Sequence, residues 1–348
     1  MIVFYLLFFI LIFSSLKFCK IGYRNDYLSF DTTNAIKGIF ILLVFIKHAT
    51  PYITSSGYMY DGIGDNYFLI IDRYVGQWNV AMFLFYSGYG IMESIKKKGE
   101  NYISSIPSKR LLTVLLNFDV AVLIYICICY SLSGGANLEL GKCLLSLFGW
   151  ESMGNSNWYI FVIMLAYLLT YISFKITKCI QGSYIQSCIV TNVLLLVSMI
   201  VLSYLKESWW YDTILCFGAG LIYSNYKTQI ESCLKKHFKV TFIILLLLLG
   251  ILIIIPFGIK GLIYNLYSIV FCFIIVMLTM KFTISSSILV WLGQNLFPLY
   301  IYQRVPMIIL SSIAGGVFVA NYPILYVISC LAITIIITYY YKYWAIRL

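Results

Sequence analysis

The chain has 348 residues, of which 62% are hydrophobic and only 11% are charged. A soluble domain usually has about 25% charged residues, so this composition excludes an ordinary soluble protein and indicates one that crosses a membrane many times. The net charge of +11 does not predict nucleic-acid binding, because the cytoplasmic loops of membrane proteins carry excess Lys and Arg.

Long apolar runs recur from one end of the chain to the other and predict an all-α polytopic membrane protein with about eleven transmembrane helices. The predicted spans are 2–18, 35–53, 75–95, 111–132, 157–175, 185–205, 209–226, 239–258, 261–281, 289–313 and 322–342. With an external N-terminus, most of the 24 Lys and Arg residues fall on the cytoplasmic side, which predicts a cytoplasmic C-terminus.

The first span, 2–18, is predicted to be a helix that stays in the membrane and not a signal peptide. Its positive charges follow the apolar run, whereas a signal peptide carries them in front. The ten cysteines of the chain form no C-x-x-C pair, and only two histidines, His48 and His237, are present. No metal site is therefore predicted.

The second span carries the residues of greatest chemical interest, Lys37 near its start and His48 near its end. Eleven steps of about 100° bring the two side chains to within ~20° of each other, and the helix rises roughly 16 Å between them. A neutral imidazole inside a membrane is suited to act as a general base on a hydroxyl group. A buried histidine that serves only packing is the alternative.

The link that follows the third span reads ESIKKKGENYISSIPSKR and ends in Lys109 and Arg110. Cations at a membrane mouth are suited to hold phosphate groups, although the positive-inside rule alone also accounts for them. Two further charges, Asp119 and Arg304, lie within predicted spans and need a partner or a wet cavity. Arg304 has three open interpretations: a pair with Asp119, a pair with Asp212, or a contact with substrate.

Four stretches, taken in order, resemble the acyltransferase 3 family of bacterial membrane O-acyltransferases. Lys-x10-His resembles the family's Arg-x10-His helix, and MFLFYSGYGIMES resembles its next helix. NWYIFVIMLAYLL from residue 157 and WLGQNLFPLYIYQRVPM from residue 291 resemble its fourth and ninth core helices. This resemblance implies a ten-helix membrane domain over 31–348, preceded by an extra N-terminal helix and a cytoplasmic link over 1–30.

The resemblance also implies an activity in the plasma membrane of a bacterium: transfer of an acyl group, usually acetyl, from cytoplasmic acyl-CoA to a hydroxyl group. The acceptor would be a surface glycan or its lipid-linked precursor, and the enzyme would hold no permanent cofactor. The implied partners are therefore acyl-CoA, this glycan acceptor and membrane lipid. A flippase or polymerase for lipid-linked glycans, and an assembly subunit, are the competing interpretations.

Ten residues are predicted to form the site. His48 is the expected catalytic residue, and the expected CoA-binding residues are Lys37, Lys109 and Arg110. The expected substrate contacts are Ser87, Tyr89, Asn157, Trp158, Gln303 and Arg304. Close helix packing at Ser87-Gly88-Tyr89 and an interfacial anchor at Asn157-Trp158 are the alternatives.

The sequence departs from the family's pattern at two of these positions. Lys37 replaces the arginine, which keeps the charge but loses the forked guanidinium. Gln303 stands where many members have a histidine, so a histidine's role cannot be assigned to it.

Overall fold

The structure, a computed structural model, describes residues 1–19, 21–74, 76–134, 139–254 and 260–348. The first residue of the predicted span 75–95 and residues 255–258 of the predicted span 239–258 lie outside this description. The helices are α1 (Val3–Ser15), α2 (Phe30–Ser55), α3 (Ile63–Tyr74), α4 (Trp78–Lys98), α5 (Glu100–Ile106), α6 (Thr113–Ser133), α7 (Leu140–Leu147), α8 (Trp158–Cys179), α9 (Tyr184–Leu205), α10 (Leu215–Asn225), α11 (Lys227–Lys236), α12 (Phe238–Ile254), α13 (Leu262–Thr279), α14 (Ser287–Gln294), α15 (Leu296–Tyr302), α16 (Arg304–Asn321) and α17 (Pro323–Tyr341). The remaining elements are a π-helical turn (Pro107–Leu112), a 3-10 turn (Ser208–Trp210) and two strands, β1 (Leu16–Phe18) and β2 (Phe282–Ile284).

The described residues contain seven helical stretches that are long and apolar enough to cross a membrane. One of them runs without a break from α5 through the π-helical turn into α6, and α1 and α12 are shorter apolar helices. The predicted all-α polytopic class is therefore confirmed. The total of eleven spans, the orientation and the division at residue 30 stay predictions.

The predicted span 2–18 is shorter in the structure, because its helix ends at Ser15. The next three residues form β1, which pairs with β2 in an antiparallel register that sets Leu16 opposite Ile284. The ribbon connects the N-terminal segment to the chain just after α13. Local hydropathy cannot reveal this strand, because its pairing partner lies far away in the sequence.

The predicted span 289–313 is divided into three helices, with breaks next to Asn295 and Gln303. A proline removes the N–H that would bond to the carbonyl four residues earlier. Pro298 and Pro306 stand four residues after Gln294 and Tyr302, the last residues of α14 and α15. These two prolines therefore account for both breaks.

Helices α2 and α14 cross closely, and each helix contributes one glycine that contacts the backbone of the other. A Cβ at Gly38 would overlap the carbonyl oxygen of Leu289, and a Cβ at Gly293 would overlap the carbonyl oxygen of Asn34. Since only glycine leaves room for such an approach, these residues fix α14 against the first half of α2.

Helices α4 and α10 cross in the same reciprocal way. A Cβ at Gly88 would overlap the carbonyl oxygen of Phe217, and one at Gly220 would overlap that of Phe85. The alternative interpretation of Ser87-Gly88-Tyr89, close helix packing, is thus correct for the glycine.

The link before α2 is tied to the rest of the molecule by Arg24. Its guanidinium donates to Asp26, to Thr32 Oγ1 and to the carbonyl oxygen of Phe282. The hydrogen bonds from Arg24 hold the pKa of Asp26 below its usual range. Ser29 then caps α2 by accepting from the N–H of Thr32, which fixes where the helix begins.

Candidate functional site

Lys37 and His48 lie on one helix, as their spacing predicts. α2 runs from Phe30 to Ser55, so its backbone joins the two residues without interruption. The two side chains are both partly buried, and the Lys37 ammonium lies 6.0 Å from the centre of the Tyr86 ring. No acidic side chain of the described residues pairs with Lys37.

Lys37 faces a cavity of about 610 Å³, within the usual range for small-molecule sites. Lys109 and Arg110 contribute to the same cavity from the π-helical turn, as do Lys342 and Arg347 from the segment after α17. The described lining holds no Asp or Glu, so these five cations make the cavity strongly positive. Such a cavity is suited to an anionic ligand such as a polyphosphate.

Lys109 and Arg110, two consecutive cations of the cavity lining, both lie in the π-helical turn. π-Helical turns are rare and often occur at functional sites. Both Lys109 and Arg110 are exposed, and Arg110 Nε donates to the hydroxyl of Tyr102 at 3.1 Å. The predicted association of Lys37 with Lys109 and Arg110 is present in the structure.

The cavity is lined on another side by Ser87 and by the rings of Tyr159, Tyr167 and Tyr300. Ser87 lies near the hydroxyl groups of Tyr159 and Tyr167. The rings of Tyr159 and Tyr300 meet edge to face, with their centres 5.2 Å apart. These polar and aromatic groups form one wall of the cavity.

His48 lies behind this wall and not in the cavity lining. Its ring meets the Tyr300 ring edge to face, with the centres 6.1 Å apart. Ser156 Oγ lies 3.4 Å from His48 Nδ1, and the side chain of Gln303 is adjacent. Tyr300, which also lines the cavity, is therefore in contact with His48 and connects the imidazole to the cavity wall.

Several buried polar atoms around His48 have no hydrogen-bond partner among the described residues. They are Gln303 Oε1, Arg304 Nε, Asn155 Nδ2 and the hydroxyl of Tyr300. Buried polar groups are normally paired, and each unpaired one costs about 1–3 kcal/mol. This group is therefore better suited to bind a polar ligand than to serve packing alone.

The structure does not form either of the pairs considered for Arg304. Arg304 Nη1 donates to the carbonyl oxygen of Gly154 at 3.4 Å, while Asp212 accepts from the N–H of Gly261 at 2.6 Å. Asp119 has no ion-pair partner in the described part of the chain. Both pairings are wrong, because the break before α16 leaves Arg304 beside the loop that contains Gly154.

Five of the six predicted substrate contacts lie outside the cavity lining: Gln303 and Arg304 lie near His48, and Tyr89, Asn157 and Trp158 lie elsewhere. Tyr89 is buried against Tyr223, with ring centres 6.2 Å apart. Asn157 Nδ2 donates to the carbonyl oxygen of Gly149 and holds the loop before α8, while Trp158 meets the Tyr159 ring. A role for Tyr89, Asn157 and Trp158 in substrate binding stays a prediction that the cavity does not support.

Sequence reasoning missed several residues of the site, among them Ser156, Asn117 and Arg347. Ser156 lies in a link that is predicted to be external and has no motif of its own. In the sequence, Arg347 is only one of the cations that indicate the cytoplasmic side. Nothing local marks such residues, since helices distant in sequence bring them to the site.

The chain matches the model of a known protein family. A family model described as an acyltransferase domain, Acyl_transf_3, matches residues 31–343. No curated protein and no solved structure matches the chain.

Proposed function

The chain belongs to the acyltransferase 3 family and is a membrane acyltransferase, and from this premise we propose that it is a bacterial plasma-membrane O-acetyltransferase. It takes the acetyl group from cytoplasmic acetyl-CoA and transfers it to a hydroxyl group of a surface polysaccharide or its lipid-linked precursor. The observation that carries this proposal is the cavity lined by Lys37, Lys109 and Arg110, whose described lining has no acidic residue and which lies close to the only histidine of the predicted spans.

Acetyl-CoA has phosphates at one end and a thioester at the other. The site likewise has cations in the cavity and His48 beside the cavity wall. The cations supply charge-assisted hydrogen bonds to the phosphates. The pantetheine arm then extends along α2, over a distance comparable to the rise of roughly 16 Å between Lys37 and His48. This arrangement brings the thioester to the wall formed by Tyr159 and Tyr300.

His48 acts as the general base in the simplest form of the reaction. It removes the proton from the acceptor hydroxyl, whose oxygen attacks the thioester carbonyl carbon. The carbon–sulfur bond then breaks, and the imidazolium returns its proton to the CoA thiolate. In the alternative form His48 first accepts the acetyl group itself and then passes it to the hydroxyl.

The remaining residues around His48 are placed to hold the acceptor. Arg304 and Gln303 keep unused hydrogen-bonding atoms there, and sugar hydroxyls or an acidic sugar would pair with them. Ser87 lies on the cavity side of the wall, where the thioester would lie.

Transfer of radiolabelled acetyl from acetyl-CoA into glycan of isolated membranes tests the function. We expect His48→Ala to lower the rate at least 100-fold, since general-base catalysis contributes about that much or more. His237→Ala is the matched control, because His237 is exposed and outside the cavity lining.

Three results are possible beyond the expected one. Equal labelling by wild type and His48→Ala would keep the enzyme and reject the catalytic role. Labelled His48 trapped in the absence of acceptor would select the covalent route. Absence of labelling by wild type, with the acceptor glycan present, would reject the proposed function.

A further inference from the structure

The segment that follows α17 is fixed to α6 by the side chain of Asn117. Its Oδ1 accepts from the N–H of Ile346 and its Nδ2 donates to the carbonyl oxygen of Ile346, both at 2.9 Å. Nδ2 also donates to the carbonyl oxygen of Thr113 at 2.7 Å. Asn117 is only 4% exposed, so this contact closes the cavity wall between α6 and the segment.

The attachment places Arg347 at the rim of the cavity. Ala345, Ile346 and Arg347 all belong to the lining, beside Lys342. The Lys342 ammonium lies 4.5 and 5.0 Å from the ring centres of Tyr339 and Tyr343, so it already has partners. Arg347 is exposed and has no acidic partner within the described residues.

The CoA donor carries more negative charge than the three cations that were predicted from the sequence can neutralise. CoA carries a diphosphate and a separate phosphomonoester, and a monoester alone has a charge of about −1.5 to −2 at pH 7. Lys37, Lys109 and Arg110 supply three positive charges. Arg347 supplies a further one, in the forked geometry that suits a phosphate.

We propose that Arg347, held in place by Asn117, binds a phosphate of the CoA donor and makes the site selective for CoA thioesters over thioesters that lack the nucleotide. This inference rests on the proposed function and adds a binding residue to it. Ile346 and Arg347 lie beyond residue 343, where the family match ends. Asn117 lies inside the matched range, so the contact joins the matched domain to the residues that follow it.

Steady-state kinetics with two donors tests the proposal. We expect Arg347→Gln to raise KM for acetyl-CoA about tenfold and to leave kcat and the KM for S-acetyl-pantetheine, which has no phosphate, unchanged. Asn117→Ala should raise KM for acetyl-CoA in the same way, since it frees the segment, and Arg347→Lys should recover part of the loss. Lys236→Gln, an exposed cation outside the cavity, should change neither KM.

The results separate failure of this inference from failure of the function. If wild type transfers acetyl and Arg347→Gln changes both donors equally, or neither, the inference is rejected and the function stands. Equilibrium binding of radiolabelled CoA to the purified protein in detergent gives a measurement that needs no acceptor. A tenfold rise in Kd for Arg347→Gln supports the inference, whereas an unchanged Kd or absence of CoA binding by wild type rejects it.

Discussion

Lys37 shows how much a single residue can be predicted from spacing. Its distance of eleven residues from His48 placed both on one helix face, and the structure joins them on α2 with Lys37 in the cationic cavity. What spacing could not give was the position of His48 behind Tyr300. That position depends on Tyr300 of α15, a helix that is distant from α2 in the sequence.

Substitution of Lys37 tests its role in donor binding. We expect Lys37→Ala to raise KM for acetyl-CoA by about tenfold or more, because one charge-assisted contact to phosphate is lost. Lys37→Arg should stay within about threefold of wild type, since the charge is kept and a second donor is added. A fall in kcat with unchanged KM in Lys37→Ala would contradict a binding role.

Ser156, which no sequence pattern predicted, is placed to position His48. Its Oγ lies 3.4 Å from His48 Nδ1, so it can hold the ring and fix which nitrogen carries the proton. We expect Ser156→Ala to lower kcat about tenfold and to leave KM for acetyl-CoA unchanged, because Ser156 lies outside the proposed donor site. Ser156→Thr, which keeps the hydroxyl, should retain most of the activity.

At the scale of elements, hydropathy predicted where the chain is apolar but not where helices begin and end. The predicted span 209–226 corresponds to a 3-10 turn followed by α10, which begins only at Leu215. The basic link before residue 111 consists of the end of α4, α5 and part of the π-helical turn. An average over a window cannot detect such changes, since they arise from hydrogen bonding and from contacts with distant helices.

The crossing of α4 and α10 gives a test with a control on the same helix. We expect Gly88→Ala to destabilise the protein by about 1–3 kcal/mol, because the new Cβ overlaps the Phe217 carbonyl oxygen. The new Cβ of Gly90→Ala has no neighbouring atom within 4 Å, so this substitution should be neutral or should stabilise the protein by up to about 1 kcal/mol. Thermal unfolding of the detergent-solubilised protein measures the difference, and equal Tm values for the two variants would contradict the crossing.

For the whole molecule, the predicted orientation can be tested with the cysteines that the chain already has. Cys233 in α11 is exposed on the predicted cytoplasmic side, and Cys143 in α7 is partly exposed on the predicted outer side. With the other accessible cysteines replaced by serine, a membrane-impermeant maleimide should label Cys143 in intact cells. It should label Cys233 only after the cells are opened. The reverse pattern would show that the orientation is opposite to the predicted one.

The reciprocal glycine crossings also limit how sequences descended from this chain can diverge. A larger residue at Gly38 is tolerated only if α14 moves away, and that movement would displace Gly293, which lines the cavity. Single replacements at either glycine should therefore be lost from a mutant library selected for activity. Survivors should carry compensating changes on both helices, so that positions 38 and 293, and likewise 88 and 220, evolve as pairs.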